Sequence, residues 1–418
     1  VEHESTLSDA LLRQLIAVGQ VDILVGLPTL NNAATIVGVV RAVDACFTRD
    51  FPRLRTVMIN SDAGSTDGTP ELIRDASFTE GEMVQTSHSL RTPHRVVTPY
   101  HGLPGKHTAL RTLFAAAELA QAKTLVVIDP AGPSTTAQRV TELIEPIGPA
   151  AVEFLAPRYR RHPRDGALIT QLVRPMVRAV YGVGLDEPLG AEFACSGRFA
   201  SHCLEQRIWD QDAARFAIDL WLRAEAVANR FAIGQIWRPA TAAAASTTLG
   251  QAVRQILLSL IASLRAHESF WRTTVDVTRL HTWGDDLGGI HTAAEWDHAA
   301  LAQQARRDIG ELKPLLEGVL PPTILSRLLD DVAAAEPSLD DELWVRIVYA
   351  FAAAASRGGD GLEPLADLFV PLYMWRAARF MSLTAHEPAD AVQVRLNTLC
   401  DAFQRLKPVL VDDWAFGV

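Results

Sequence analysis

The chain of 418 residues is 48% apolar and 21% charged, with a formal net charge of −10. That balance excludes a disordered or fibrous chain and argues against a general nucleic-acid binder or a polybasic membrane-surface protein. The length suits two domains of roughly 100–200 residues each. No stretch approaches the roughly 18 successive apolar residues of a membrane span. The acidic, polar start VEHESTLSDA does not read as a signal peptide, so a soluble, cytoplasmic protein is expected. Cys46, Cys195, Cys203 and Cys400 lack CxxC spacing, which predicts neither a zinc cage nor a disulfide framework. Lysine is scarce, at Lys106, Lys123, Lys313 and Lys407 against 35 arginines, a bias that fits GC-rich, bacterial coding.

Taken in chain order, residues 21–27 form an apolar run ending at Pro28, as a buried parallel strand entering a loop does. Residues 33–47 carry helical periodicity, 55–59 read as a strand, 60–70 as a turn-rich loop and 71–76 as a helix. A short strand at 95–98, a helix at 106–120, the strand 124–129, a helix at 135–147 and a strand at 151–156 follow. This alternation predicts an α/β fold with a parallel sheet whose ligands sit at the C-terminal ends of the strands. Beyond about residue 245 the strand signal fades, and 249–266, 299–310, 324–335, 341–355 and 365–384 read as amphipathic helices. The expected division is therefore an α/β domain over residues 1–245 and an all-helical domain over 246–418. Apolar faces in the second could pack against one another or form a homodimer.

Two strand ends carry the polar residues that chemistry needs. The first strand runs into Pro28-Thr29-Leu30-Asn31-Asn32, and the second into Asn60-Ser61-Asp62-Ala63-Gly64-Ser65-Thr66-Asp67-Gly68-Thr69. Small residues and glycine allow close backbone approach to a ligand, and Asp62 can accept hydrogen bonds from ribose or base donors. The same residues also suit helix caps and tight turns, with Asp67 capping the next helix. Lys106 stands at a predicted helix N-terminus after Pro104-Gly105, where an anion is favoured and a lysine is otherwise poorly placed.

Together these segments resemble the sugar-nucleotide half of GT-A glycosyltransferases. The likeness continues through Asp129 after the strand TLVVI, the run Ala156-Pro157-Arg158-Tyr159-Arg160-Arg161-His162-Pro163-Arg164, Glu187-Pro188-Leu189-Gly190-Ala191-Glu192, Trp209-Asp210-Gln211-Asp212 and Ala217-Ile218-Asp219. The order is similar to the retaining glucosylglycerate and mannosylglycerate synthases, which also carry a helical C-terminal domain. The resemblance implies an enzyme that moves a sugar from a nucleotide-diphosphate sugar, GDP-linked by first expectation, to a small carboxylate-bearing acceptor. It implies that Pro28, Thr29, Asn31, Asp62 and Asp129 hold the nucleotide and Lys106 its diphosphate. Arg158, Arg161, Leu189 and Gly190 would receive the acceptor, and Asp219, Glu192 and Arg161 would serve the chemistry, with Asp219 orienting the acceptor or stabilising the cationic sugar.

One departure is pronounced. The family's Asp-x-Asp here reads Asp129-Pro130-Ala131, and the place of a metal-binding histidine falls near Ala243. With both expected ligands replaced, Mg²⁺ or Mn²⁺ is disfavoured, since a hard cation wants several oxygen ligands. The offset to diphosphate charge would then come from Lys106, Arg158, Arg160, Arg161, Arg164 or Arg238. The expected activity is a metal-independent or weakly metal-dependent transferase of bacterial specialised metabolism. One variant transfers to the sulfur of a thiol or thione such as ergothioneine, as in lincosamide antibiotic assembly. The rivals are an inactive pseudo-transferase that binds or scaffolds, and a nucleotidyltransferase-like enzyme. Trp271, Trp283, Trp296, Trp344 and Trp375 are expected to pack rather than stack on sugar, and His88, His94, His101 and His107 show no metal spacing.

Overall fold

The computed structural model describes residues 7–76, 94–99, 106–132, 135–148, 152–210, 214–239, 249–285, 297–334, 339–357 and 362–415. The chain divides into two compact units. The first comprises Val1–Tyr159, Gly190–Ala242 and His281–Asp286, the second Arg160–Leu189, Ala243–Leu280 and Leu287–Val418. One crossing falls between Ala242 and Ala243, Arg160–Leu189 leaves the α/β unit, and His281–Asp286 returns to it. Local periodicity carries no sign of either excursion, because each depends on partners distant in sequence.

In the first unit α1 (Asp9–Val18) precedes β1 (Ile23–Thr29), α2 (Ile36–Asp50), β2 (Thr56–Asp62), α3 (Thr69–Asp75) and β3 (His94–Pro99). Then come α4 (Lys106–Leu119), β4 (Thr124–Val127), α5 (Ala137–Ile144) and β5 (Phe154–Arg160), whose last residue opens the second unit. The second unit's first excursion holds a π-helical turn, Ile169–Val173, and α6 (Arg174–Tyr181). Back in the first unit lie β6 (Phe193–Ser196), α7 (Gly197–Leu204), α8 (Ala214–Ala228), β7 (Ile233–Pro239) and, later, β8 (Thr282–Trp283). The strands form one sheet in the order β3-β2-β1-β4-β6-β5-β7-β8. β1 is parallel to β2 and β4, and β2 to β3, while β6 runs antiparallel to both β4 and β5.

The pleat explains the layering. Val25 and Leu27 join a core with Val39, Val40 and Val43 of α2 and Val140 and Leu143 of α5. Gly26 points the other way, and a Cβ there would come within 2.5 Å of Leu113 Cδ1 on α4. The missing side chain is thus what lets α4 lie close on β1, and so what sets Lys106 at its first turn beside the strand ends.

The second unit is helical: α9 (Leu249–Ala266), α10 (Glu268–Trp271), α11 (His298–Leu316), α12 (Pro322–Ala333), α13 (Asp341–Arg357), α14 (Glu363–Thr384) and α15 (Ala389–Ala415). α13 packs on α15, α14 on α11, and α15 on α6. Trp271, Trp344 and Trp375 are buried and each indole N–H is spent inside the unit, on Leu264 O, Gln171 O and Asp331 Oδ2. Trp296 lies outside the described residues, as do His88 and His101. All four cysteines are buried as free thiols, and among the described residues no helix is long and apolar enough to cross a membrane. The longest helix, α15, was not anticipated. Its internal Pro408 interrupts the usual helical signal, yet tertiary packing on α6 and α13 carries the helix through it.

Candidate active site

Register brings the motifs level. Leu27 stands opposite Asn60, Pro28 opposite Ser61 and Thr29 opposite Asp62, and Gly26 is opposite Val127, two residues before Asp129. β1 and β2 therefore end level, and β4 ends beside Gly26, so that the chain leaving it carries Asp129 to the same edge. Pro28, Thr29, Ala63, Asp129, Ala131 and Lys106 contribute to the lining of a cavity of about 350 Å³ at that edge.

A hydrogen-bonded chain fixes the first two strand ends. Asn60 Nδ2 donates to Leu27 O (3.0 Å) and to Thr29 Oγ1 (2.7 Å), and Thr29 Oγ1 donates on to Asp62 Oδ1 (2.9 Å). Asp62 also accepts from Gly64 N (2.9 Å), Ser65 N (2.8 Å) and Ser65 Oγ (2.6 Å). Those four bonds match the acceptor capacity of a carboxylate. The side chains of Thr29 and Asp62 are thus buried and spent on the protein, and a nucleoside meeting Asp62 must share or displace one of these bonds.

The two loops then lace together. Asn31, held at φ 55°, receives Thr66 N on its Oδ1 (2.9 Å) and donates its own N–H to Ser65 Oγ (2.8 Å). Asn32 N–H donates to Thr69 Oγ1 (2.9 Å) and Ala33 N–H to Asp67 Oδ2 (2.8 Å). Asp67 also accepts from the Thr69 hydroxyl and N–H, and these bonds hold its carboxyl below the usual range. Gly68, not Asp67, is the N-cap of α3, and Asp67 instead accepts from the N–H of Thr69 and ties α3 to the β1 loop. Sequence reasoning missed Asn60, Ser65 and Thr69 as the partners, although all three sit inside the motif.

Lys106 does not point into open solvent. Its Nζ lies 2.7 Å from both carboxylate oxygens of Asp219 and 3.2 Å from Ala191 O. The residues expected to hold diphosphate and acceptor thus meet as an ion pair. Arg223, fully buried on α8, braces this corner by donating to Asp219 O (2.8 Å) and Gly190 O (2.8 Å). A Cβ on Gly190 would fall 2.2 Å from Pro157 Cγ, so close packing alone accounts for glycine there. Arg223 was missed by sequence reasoning, though a lone arginine in the apolar run of α8 was the available signal.

Asp129 is half-buried, with Oδ1 accepting from Ala131 N (3.0 Å). Glu192 is near enough for the Asp129 charge to act on it. Burial pushes the Glu192 carboxyl up, Arg238 pulls it down, and Asp129 adds to the upward push. Arg238 Nε lies 2.9 Å from Glu192 Oε1, while its other nitrogens donate to Glu142 Oε2 (3.1 Å) and Arg139 O (2.7 Å). The side chain of Ala131 offers no oxygen, and Glu192 is paired with Arg238. Ala243 lies outside the described residues, and among the described residues no three acid, histidine or cysteine side chains gather as a metal cage.

The basic run is split between the units. Arg158 belongs to the α/β unit, stacked 4.2 Å from the centroid of the Trp237 ring. Arg160, Arg161, Arg164 and Leu189 belong to the helical unit. There Arg161 donates to the buried Glu187 (2.9 Å) and Arg164 to Ala385 O (3.0 Å). Burial and the neighbouring Arg164 push the His162 imidazole below its ordinary range. The run is therefore not the uniform solvated loop its charge suggests.

No known protein-family profile matches the chain, and comparison with curated proteins finds no match. Among solved structures it is similar to glucosyl-3-phosphoglycerate synthase from Mycobacterium tuberculosis in complex with phosphoglyceric acid. The identity there is 20% over 64% of this chain and 86% of that one, with a TM-score of 0.43. The same enzyme with Mg²⁺ and uridine-diphosphate gives 20% identity over 62% and 83%, with a TM-score of 0.41. A mycobacterial protein gives 18% over 62% and 78%, with a TM-score of 0.42. These likenesses are slight in both identity and superposition.

Proposed function

We propose that the α/β unit binds a nucleotide-diphosphate sugar and that the protein is a glycosyltransferase of the GT-A kind. The observation that carries this reading is the cavity at the C-terminal edge of β1, β2 and β4, bounded by two cross-laced loops, Asp129 and Lys106. Open α/β sheets take ligands at that edge, and the volume falls in the range of small-molecule sites, about 300–1,000 Å³. Lys106 begins α4, so lysine and helix N-terminus together favour an anionic diphosphate.

On this reading the sugar's anomeric C–O bond to the diphosphate breaks, the nucleoside diphosphate leaves with the electron pair, and the acceptor's oxygen bonds the sugar carbon. The departing phosphate takes the acceptor's proton, so no strong base is required of the protein. Lys106 offsets the growing negative charge, which is where electrostatic stabilisation counts most. Donor binding draws Lys106 from Asp219 and leaves that carboxylate beside the cationic sugar. Retention of configuration, a small carboxylate acceptor and a GDP-linked donor follow the sequence resemblance. The alanine at position 131 and the engagement of Glu192 by Arg238 support weak or absent metal dependence.

The second reading, a binding protein on this scaffold, is favoured by one feature, the ready-made Lys106–Asp219 pair. Calorimetric titration with GDP, UDP and ADP, each with excess Mg²⁺ and with EDTA, is the first test. Tight binding of one nucleotide that survives EDTA is expected. Loss of binding in EDTA would overturn metal independence, and no binding of any nucleotide would overturn the transferase. Transfer or hydrolysis of the matching nucleotide sugar then separates enzyme from binding protein.

A further inference from the structure

The helical unit holds a cavity of about 700 Å³, with walls from the start of α13, from α14 and α15, and from the π-helical turn that carries Gln171. Its charged residues are almost all spent. Asp341 Oδ1 takes Arg376 Nη2 (2.6 Å), Asp340 Oδ2 takes Arg327 Nη2 (2.9 Å), and Glu387 chelates Arg395 (2.6 Å at its shortest). Arg379 is different. Among the described residues no acid or carbonyl pairs with it, and its buried Nε has no hydrogen-bond partner.

A second donor on the same wall is unsatisfied. Gln171 is fully buried, and its Oε1 accepts from Arg376 Nε (2.9 Å). Arginine can only donate, so the orientation of that amide is fixed and Nε2 must be the other end. Nε2 has no partner. Both of these nitrogens lie behind the cavity wall, so what Arg379 can offer a ligand is the outer edge of its guanidinium. The remainder of the wall is mostly apolar, with Thr384 and Thr398 among it, and partly open to solvent: Leu383 is 51% exposed and Val394 64%, with Phe380 beside them.

We propose that this cavity binds a small carboxylate carried on an apolar body, at a site separate from the nucleotide cavity and independent of the glycosyltransferase reading. A single unpaired guanidinium balances a single negative charge, which favours a carboxylate over a doubly charged phosphate. The planar fork of Arg379 matches two carboxylate oxygens, and Phe380, Leu383 and Val394 cover the apolar part.

The test uses the full chain and two probes that differ only in charge, 4-phenylbutyrate and 4-phenylbutan-1-ol, titrated by calorimetry at millimolar concentration. The acid is expected to bind saturably and the alcohol roughly tenfold or more weakly, the size of one charge-assisted pair. Arg379→Gln should bring the acid down to the alcohol's level with the thermal unfolding midpoint unchanged, and Arg379→Lys should fall between. Equal binding of acid and alcohol by the unaltered protein, unchanged binding by Arg379→Gln, or no binding of the acid would each overturn the proposal. None of these outcomes bears on nucleotide binding.

Discussion

Lys106 Nζ sits 2.7 Å from each carboxylate oxygen of Asp219, so the cation that opens α4 is already neutralised by an acid on α8. The pair is only part-buried, and its own contribution to stability is about 1 kcal/mol or less. Its importance lies in competition: a diphosphate reaching Lys106 takes the place of Asp219.

That exchange gives the first prediction. Asp219→Asn frees Lys106 and should tighten nucleoside-diphosphate binding several-fold while lowering turnover. Lys106→Met should weaken binding by roughly tenfold or more, the loss of a charge-assisted contact. Titration of both variants decides it, and weaker binding in Asp219→Asn would refute the competition.

Asp62 is predicted to be as much a structural residue as a ligand contact. In Asp62→Asn the new amide donor faces Thr29 Oγ1, which already accepts from Asn60 Nδ2, so the Thr29 proton loses its acceptor. The cost is about 1–3 kcal/mol, read as a lower denaturant midpoint with an unchanged slope. A midpoint equal to that of the parent would mean that the strand-end chain adds nothing.

Gly190 was expected to meet an acceptor, and the structure supplies a packing reason for it instead. Gly190→Ala would place a methyl 2.2 Å from Pro157 Cγ and 3.2 Å from Arg223 Nη2. Overpacking of this kind costs about 1–3 kcal/mol. The variant should unfold at lower temperature even without ligand, which a residue serving only the acceptor would not do.

Lys407 sets a pH dependence. It donates to Thr274 O and Val180 O, and burial pushes its ammonium from an ordinary 10.5 down to about 8. A depressed folded value means the folded state holds the proton less well than the unfolded chain. The stability it contributes is present above the unfolded value and is lost as pH falls through about 8. Compared with Lys407→Met, the parent should gain unfolding free energy as pH rises from about 8 to 10.5. Parallel stability–pH curves for the two proteins would show that burial leaves this lysine unperturbed.

The alternation of strands and helices was legible in the sequence because it needs only local periodicity. The runs expected at 21–27, 55–59 and 124–129 became β1, β2 and β4, which end at Thr29, Asp62 and Val127, and helices through Thr384 lie close to their expected places. The motif residues were also legible, as small and polar groups just past strand ends. Their partners were not. That Asp62 is saturated, that Asn31 and Asp67 lace one loop to the other, and that Lys106 faces Asp219 depend on parallel register and on α8 reaching α4 across 113 positions of chain. Likewise the basic run looked continuous, whereas the units divide it between Tyr159 and Arg160.

Neighbouring residues alone carry the α/β-then-helical order, the polar groups at the strand ends and the Asp129-Pro130-Ala131 run. Which of those side chains remain able to meet a ligand depends on contacts made after the chain has folded. A hydrogen-bonding group is spent or unspent according to what lies against it, and at this site the decisive neighbours come from distant strands and helices.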